Sequence, residues 1–569
     1  YADLIERLAI APHDRAVIAL DGSVTFQFKT AESPDGWLAA TAIPLRRAEA
    51  LCEQYQAGDL NATLPTVAAG AELRILLDSL PPYRAVFVFE ENPVHVAAVL
   101  AMHDFADDLR RGRCIFLPPR GEEPELERLL DAHAGLLPPG NILCPPEVSA
   151  DRIEYVRDIC VRVAARTGKQ RSDRMGVLVQ SCASADVQPD KPRLAILAIA
   201  PDPSAVRTAE RLTAAAGRLG LATCSCTLSG PHDVHLLTHC EAIGEFRPTI
   251  SICVNHARDL LPLPPRETVC EWVIDAETFA GRSAGEAAVR LAASPMILER
   301  LETDQAPSVR NVPFFWSCDS APRSAGSASD VIAIVADLAD DSPEACGIEQ
   351  PTHKLLWAQL KVLARKSWGA DDPFTLLGRA ERATGLRLGE ATLREKLLHI
   401  IERTLIPAAV MERICQTLRD EAIPAVVIGS GWQRWNDQGV TLLADNIDDY
   451  LTREDRIEPR AAILAGGCDP LCGTLPIVGS LGWPLLLHQP AGCSLAKALG
   501  GVLVPERHVR PFSSAKSLRD AIRSLAADPE KGRTLGRRAR EHLLAHHTHE
   551  HRLRALLDAL ADAPAGRSG

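Results

Sequence analysis

Gly429-Ser430-Gly431-Trp432 follows the apolar run Ala425 to Ile428, and this junction poses the first chemical question. A β-branched run that breaks into a glycine turn is where an α/β sheet presents unpaired backbone N–H groups at the carboxyl ends of its strands. Phosphates and nucleotides bind there. A second such turn, Gly466-Gly467, follows Ala461 to Leu464. A third lies at Gly70, with Glu90 standing about 20 positions on, where a Rossmann-type site hydrogen-bonds a ribose. That fingerprint is degraded, because Ala69 and Glu72 fill nearby slots and an acid beside the loop repels a phosphate. The Gly70 unit therefore reads as Rossmann-like but kept for packing or docking. Near the end of the chain, His542, His546, His547, His549 and His551 include i,i+4 pairs of the kind that take up a divalent metal. With no acid–water site around them they read as a solvated helix surface. Cys224-x-Cys226 and Cys468-x3-Cys472 lack the paired spacing of a zinc site, so no metal is expected.

The elements that must position these residues alternate. In the first 150 residues, Val17 to Leu20 and Val24 to Phe28 predict a hairpin around Asp21-Gly22. A β–Gly–α–β unit follows, with its helix over Ala71 to Leu80 and its second strand over Ala85 to Phe89. Ile153, Val156, Ile159, Cys160 and Val163 recur at helical spacing, predicting a helical connector over 151–174, with a linker near Pro189 and Pro192. A second α/β unit opens at Leu194 and runs to the strand Val269 to Ile274. After a small-residue hinge over Ala321 to Asp330, a third opens with Val331 to Val335. The helix Ala408 to Glu421 leads into the Gly429 loop, and three helices close the chain. Strands alternating with helices imply right-handed crossovers and parallel sheets.

Composition narrows the class of function. The chain has 569 residues, 46% hydrophobic and 24% charged, which is ordinary globular material for several domains. A formal charge of −12 argues against a dedicated nucleic-acid binder, and 4% aromatics offers few stacking platforms. No run of about 18 apolar residues stands out as an integral membrane segment. Tyr1-Ala2-Asp3-Leu4 lacks the basic start of a secretory leader and reads as a trimmed or partial product. Sixteen scattered cysteines, many in apolar runs, point to a reducing cytoplasm.

Several segments taken in order carry a resemblance. They are Ser251-Ile252-Cys253-Val254-Asn255-His256-Ala257-Arg258, Glu271-Trp272-Val273-Ile274-Asp275, Asp330 to Val335, Ile428-Gly429-Ser430-Gly431-Trp432, Arg507 to Phe512, and the tail from Asp528 to Arg552. Together they resemble GT-B-fold glycosyltransferases of the group related to CgeB spore-maturation proteins, over roughly residues 190 to 560. The resemblance implies an α/β fold with two Rossmann-like domains in GT-B arrangement, plus an N-terminal degenerate Rossmann-like domain. The implied boundaries are 1–150, a connector over 151–190, an acceptor-side domain over 191–325 and a nucleotide-sugar-side domain over 326–569. It also implies transfer of a sugar from a nucleotide-sugar to an unidentified acceptor (protein, glycan or small molecule) in the cytoplasm, with no metal or other cofactor.

On that reading His256 and Asp275 are the candidate bases for the acceptor hydroxyl. Gly429, Ser430, Gly431, Trp432, Arg434, Gly466, Gly467, His488, Gln489, Ser494 and Lys497 are the candidate donor contacts. Backbone donors after Gly429 and Gly466, a helix N-terminus near Ser494, and Arg434 or Lys497 would meet the diphosphate. Each has a plainer alternative. Trp432 can pack, Asn255 and His256 can close strand ends, and Asp275 can cap the following turn. One departure matters. Many retaining GT-B enzymes carry E-x7-E near the donor, whereas His488 to Leu495 holds no acid and the nearest is Glu506. Either neutral groups hold the donor, or the chain is an inactive GT-B-like scaffold or nucleotide-binding protein. A methyltransferase centred on Gly70 and Glu90 is a third reading. Finally, Leu553, Leu556, Leu557 and Leu560 form an apolar stripe that predicts docking of the last helix, Thr548 to Ala561, across the lobe interface.

Overall fold

The computed structural model describes residues 15–28, 36–55, 58–119, 121–184, 192–200, 202–256, 268–274, 289–303, 310–319, 327–432, 440–465, 469, 471–490 and 492–561. The chain is α/β with parallel sheets, as its alternating pattern predicts. It divides into two compact units. The first holds Tyr1–Thr213, Leu221–Glu271 and Gly285–Ala287, and the second Ala214–Gly220, Trp272–Ala284 and Ala288–Gly569.

The first unit begins with the expected hairpin, Arg15–Ile18 against Val24–Phe28. Gly22 takes φ +84° in its turn, a conformation open to glycine, and Asp21 accepts from the Ser23 amide at 3.1 Å. A parallel sheet follows in the order Cys114–Leu117, Val86–Phe89, Asn61–Leu64, Pro139–Ile142, which is 3-2-1-4 in chain order and matches half of a doubly wound sheet. The connector is one helix, Ala150–Ser184, running ten residues past the expected end at 174 because no proline interrupts it before Pro189. Its Val156, Ile159, Cys160 and Val163 are buried against Phe87, Phe89, Leu126 and Leu130. Ile250–Val254, Arg193–Ala198 and Ala222–Thr227 form a further parallel array in this unit.

The second unit contains a six-stranded parallel sheet. Its order is Val440–Ala444, Ala425–Ile428, Ile332–Val335, Ala461–Leu464, Leu485–His488, Arg510–Phe512. In chain order that is 3-2-1-4-5-6, the doubly wound arrangement whose ligands bind where the strand order reverses, here between Ile332–Val335 and Ala461–Leu464. The central strand alternates. Ile332 and Ile334 join one core with Leu356, Trp357, Leu360 and Ile414, while Ala333 and Val335 join another with Leu475, Val478, Leu499 and Leu543. Both faces are thus covered, as an all-parallel sheet requires.

Three helices, Pro351–Ser367, Pro373–Thr384 and Ala391–Ile400, have no counterpart in the sequence expectations. Their signals are present nonetheless: Pro351 and Pro373 open first turns, and Leu356, Leu360, Leu363 and Ala364 repeat at helical spacing. The third runs without a break through a π-helical turn, Ile401–Leu405, into Ile406–Asp420. Pro407 explains the turn, because its ring has no N–H to give and would collide with the carbonyl four residues back in an α-helix.

The last helix, His549–Ala561, docks on the segment 310–319, which precedes the domain boundary expected at 325/326. Cys318 and Thr548 form a parallel bridge, with His549 N donating to Cys318 O at 3.0 Å. Ser317 Oγ meets His549 Nδ1 at 2.7 Å, Arg552 donates to Phe315 O at 2.9 Å, and Arg310 donates to Ala559 O at 2.9 Å. Leu553 and Leu556 are buried, as the stripe predicts.

Candidate functional site

Two adjoining chambers open at the carboxyl ends of the second unit's parallel sheet. The larger, about 580 Å³, lies beyond Leu485–His488. Its walls come from the helix Pro295–Thr303, the turn 369–373, Ile406, Pro407 and Val410, and the stretch from His488 to Ala498. The smaller, about 310 Å³, lies at the reversal of strand order. Asp337 follows one central strand, and Asp469, Leu471, Cys472 and Gly473 follow the other. Met296 and Pro407 line both chambers.

In the larger chamber the structure brings His488, Ser494 and Lys497 together. Burial pushes the His488 imidazole down to about 4, so it is neutral, and its Nε2–H donates to Trp368 O at 3.3 Å. The tautomer follows because a carbonyl only accepts, which leaves Nδ1 as an acceptor. Lys497 pairs with Glu299 at 2.8 Å, both ends well exposed, a pairing weak enough to yield to a phosphate. Gln489 is turned inward on its own loop, donating to Cys493 O at 2.9 Å. Ser494 precedes a helix of only four residues, Leu495–Ala498, too short for the helix N-terminus expected there to exert a macrodipole. The rim acids are engaged: Asp371 with Arg379, and Asp372 as the cap of Pro373–Thr384, accepting from Thr375 N at 3.0 Å.

The Gly429-Ser430-Gly431-Trp432 turn sits differently from the sequence expectation. Its glycines serve close backbone approach, since a Cβ on Gly429 would lie 1.9 Å from Ala336 O and one on Gly431 1.9 Å from Leu338 O. The Gly429 amide is spent on Ala444 O at 2.8 Å and that of Ser430 on Asp337 Oδ1 at 2.8 Å. Trp432 is buried and donates to Ala336 O at 2.7 Å. The turn locks the loop that carries Asp337, and those two amides are not offered to a ligand. Arg434, Gly466, Gly467 and Asp275 lie outside the described residues. His256, in the first unit, is 2% exposed and its Nε2 meets Leu197 O at 3.1 Å.

The Gly70 loop of the first unit is closed by its own acid. Glu90 accepts from Thr66 Oγ1 at 2.5 Å and from the amides of Val67 and Asn92 at 2.9 and 2.8 Å. Glu72 is buried in an ion pair with Arg47 at 2.6 Å.

Sequence reasoning passed over the smaller chamber. Asp469 accepts from Ser294 Oγ and from Leu471 N at 3.0 Å. It opens toward the cavity yet is crowded on its other sides, and this desolvation raises its carboxyl to about 6 against the pull of Ser294, Arg403 and Arg300. Arg300 meets Glu402 at 3.5 Å, and Glu402 and Arg403 project from the π-helical turn. The available signal was an acid soon after a glycine pair at a strand end, Gly466-Gly467-Cys468-Asp469.

The histidines near the chain end are only partly the solvated surface their sequence predicts: His546 is exposed, His542, His547 and His551 are half-buried, and His549 is buried. His508, also buried, joins them, with ring centroids 4.5 Å apart from His508 to His542 and 5.0 Å from His542 to His547. Burial, with Arg552 beside one ring and His542 beside the other, depresses His547 to about 3 and His508 to about 4. Together with His488 these imidazoles stay neutral when folded and titrate near their ordinary 6.5 when unfolded. The unfolded chain therefore binds more protons below that value, so stability is full above pH 6.5 and is lost as pH falls toward 4. Thermal scans should show Tm falling from pH 7 to pH 5, with a shallower fall in His508→Gln. A flat profile in the parent chain contradicts the neutral-histidine account.

Residues 478–558 match the glycosyl transferase-like family. That segment takes in His488, Gln489, Ser494 and Lys497 and stops short of Gly429 and Asp469. No curated protein matches the chain in sequence. Among solved structures, sucrose-phosphate synthase from Thermosynechococcus elongatus overlays at TM-score 0.41 and 11% identity, covering 66% of this chain and 100% of its own. HepE of Anabaena in complex with UDP and glucose gives TM-score 0.39 at 10% identity, over 65% and 99%. A glycosyltransferase from Rickettsia africae gives 0.37 at 8%, over 67% and 100%. Overlays this loose assign neither site nor substrate.

Proposed function

We propose that this protein is a cytoplasmic glycosyltransferase of GT-B arrangement that moves a sugar from a nucleotide-sugar to an unidentified acceptor without a metal. The observation that carries the proposal is the coincidence of the larger chamber with the glycosyl transferase-like segment, at the carboxyl ends of a doubly wound sheet. Lys497 swings from Glu299 to the diphosphate, Ser494 Oγ donates beside it, and neutral His488 offers Nδ1 to a sugar or ribose hydroxyl. The neutral Ser494 and His488 stand in for the acid missing from 488–495. Among the described residues no helix is long and apolar enough to cross a membrane.

Calorimetric titration with UDP-, GDP-, dTDP- and CMP-sugars tests this. One nucleotide should bind, about tenfold more weakly in Lys497→Ala, and transfer should survive EDTA. No heat with any of them removes the donor claim. The rival reading, a non-catalytic scaffold, is favoured by the engaged amides of Gly429 and Ser430 and by the self-closed Gly70 loop. It predicts nucleotide binding without turnover, or none at all.

A further inference from the structure

The smaller chamber holds three kinds of group that the larger one does not combine: an indole face, carboxylates, and guanidiniums. Trp316 lines it and also packs against Trp272, with ring centroids 5.3 Å apart. Gly473 lies close to that indole, and any side chain there would press on its six-membered ring, since a Cβ would come within 3.1–3.2 Å of it. Asp337, Asp469, Glu402, Arg300 and Arg403 line the same chamber. An aromatic face takes the C–H side of a pyranose, while carboxylates accept from its hydroxyls and guanidiniums donate to its oxygens. The paired charges suit a neutral polyol better than an ion, since Arg300 already meets Glu402. The volume, about 310 Å³, suits a single ring.

We propose that the smaller chamber is the subsite for a sugar acceptor stacked on Trp316, and that Asp469 is the base that takes the proton from the attacking hydroxyl. The proposal rests on the glycosyltransferase reading above and names its acceptor class as carbohydrate. Ser294 Oγ holds one oxygen of the carboxylate and the Leu471 amide the other, and each oxygen keeps a further lone pair to accept with. Met296 and Pro407 line both chambers, so an acceptor in the smaller one lies next to a donor in the larger. As the new C–O bond forms, the hydroxyl proton passes to Asp469. The bond from the anomeric carbon to the diphosphate oxygen breaks with its electron pair leaving on the diphosphate. The charged and titratable groups facing Asp469 are Arg300, Arg403, Glu402, Asp337, Cys472 and Cys493. Its raised carboxyl makes it half-ionised near pH 6.

The test uses the full chain and methyl gluco-, galacto- and mannopyranosides of both anomers as probes. Titrated without nucleotide, at least one should bind, and about tenfold more weakly in Trp316→Ala. If that variant unfolds, Trp316→Leu makes the same comparison, keeping apolar volume without a stacking face. UDP, GDP and dTDP, titrated separately, should bind the variants as they bind the parent. Transfer from the bound nucleotide-sugar to the bound glycoside should rise with pH through about 6. Asp469→Asn should retain glycoside binding, lose that limb, and slow by about 10²–10⁴.

Nucleotide binding without glycoside binding, or glycoside binding indifferent to Trp316, overturns the sugar subsite and spares the donor claim. Glycoside binding without nucleotide binding does the reverse. Absence of transfer from any bound pair, or an Asp469→Asn profile matching the parent, overturns the base.

Discussion

Gly429→Ala is expected to cost the second unit its fold. The new Cβ would sit 1.9 Å from Ala336 O and 2.6 Å from its carbonyl carbon, and the residue's φ of +150° disfavours any side chain. Relief is blocked on the other side of the contact. Ala336 ends the central strand Ile332–Val335, which is paired on both edges, and its own amide is held by Ile428 O at 3.1 Å. A backbone clash at the carboxyl end of the central strands is overpacking without a flexible partner, at about 4 kcal/mol or more. That is a large part of the roughly 5–15 kcal/mol margin of an ordinary domain. Gly378→Ala is the matched control: it lies in Pro373–Thr384 with open space around its Cβ position, and should stabilise by about 0.5–1 kcal/mol. Thermal melts of both variants decide the matter, and a folded Gly429→Ala with an unchanged midpoint refutes the contact argument.

Ending the chain before Thr548 is expected to lower stability and activity together. The helix His549–Ala561 buries Leu553 and Leu556 at 1% and 2% exposure, worth about 1.5–3 kcal/mol each. Its loss also uncovers the Cys318 backbone and removes Arg552 from Phe315 O. Phe315 and Cys318 flank Trp316, so the truncation frees the segment that presents the indole to the smaller chamber. Scanning calorimetry should show the midpoint down by about 10 °C or more, and methyl glycoside binding should fall with it. Unchanged stability would detach this helix from the function altogether.

Much of the scaffold was legible because each element carried its own signal. Ala461–Leu464 falls where its apolar run falls, and the stripe of Leu553 and Leu556 faces inward. The edge strands Val440–Ala444 and Arg510–Phe512 were not, since short, partly polar runs gain their pairing only from the neighbouring strand. At the site, the glycine turn after Ile428 was read from its composition, yet what its amides do depends on Ala444 and Asp337, distant in sequence. The smaller chamber was hidden for the same reason. Ser294, Trp316, Glu402 and Asp469 come from four separate stretches, and no local pattern links them.

The π-helical turn over Ile401–Leu405 sets the phase between the walls of the two chambers. A π turn holds one residue more than the same stretch of α-helix. Each residue of an α-helix turns the chain by about 100°. Deleting one residue here would restore the plain helical phase and rotate everything upstream by that angle against everything downstream. Glu402 and Arg403 would then leave the smaller chamber, or Ile406 and Val410 the larger, but the two sets cannot both stay. The extra residue is thus what lets one continuous helix present Glu402 and Arg403 to one chamber and Ile406 and Val410 to the other.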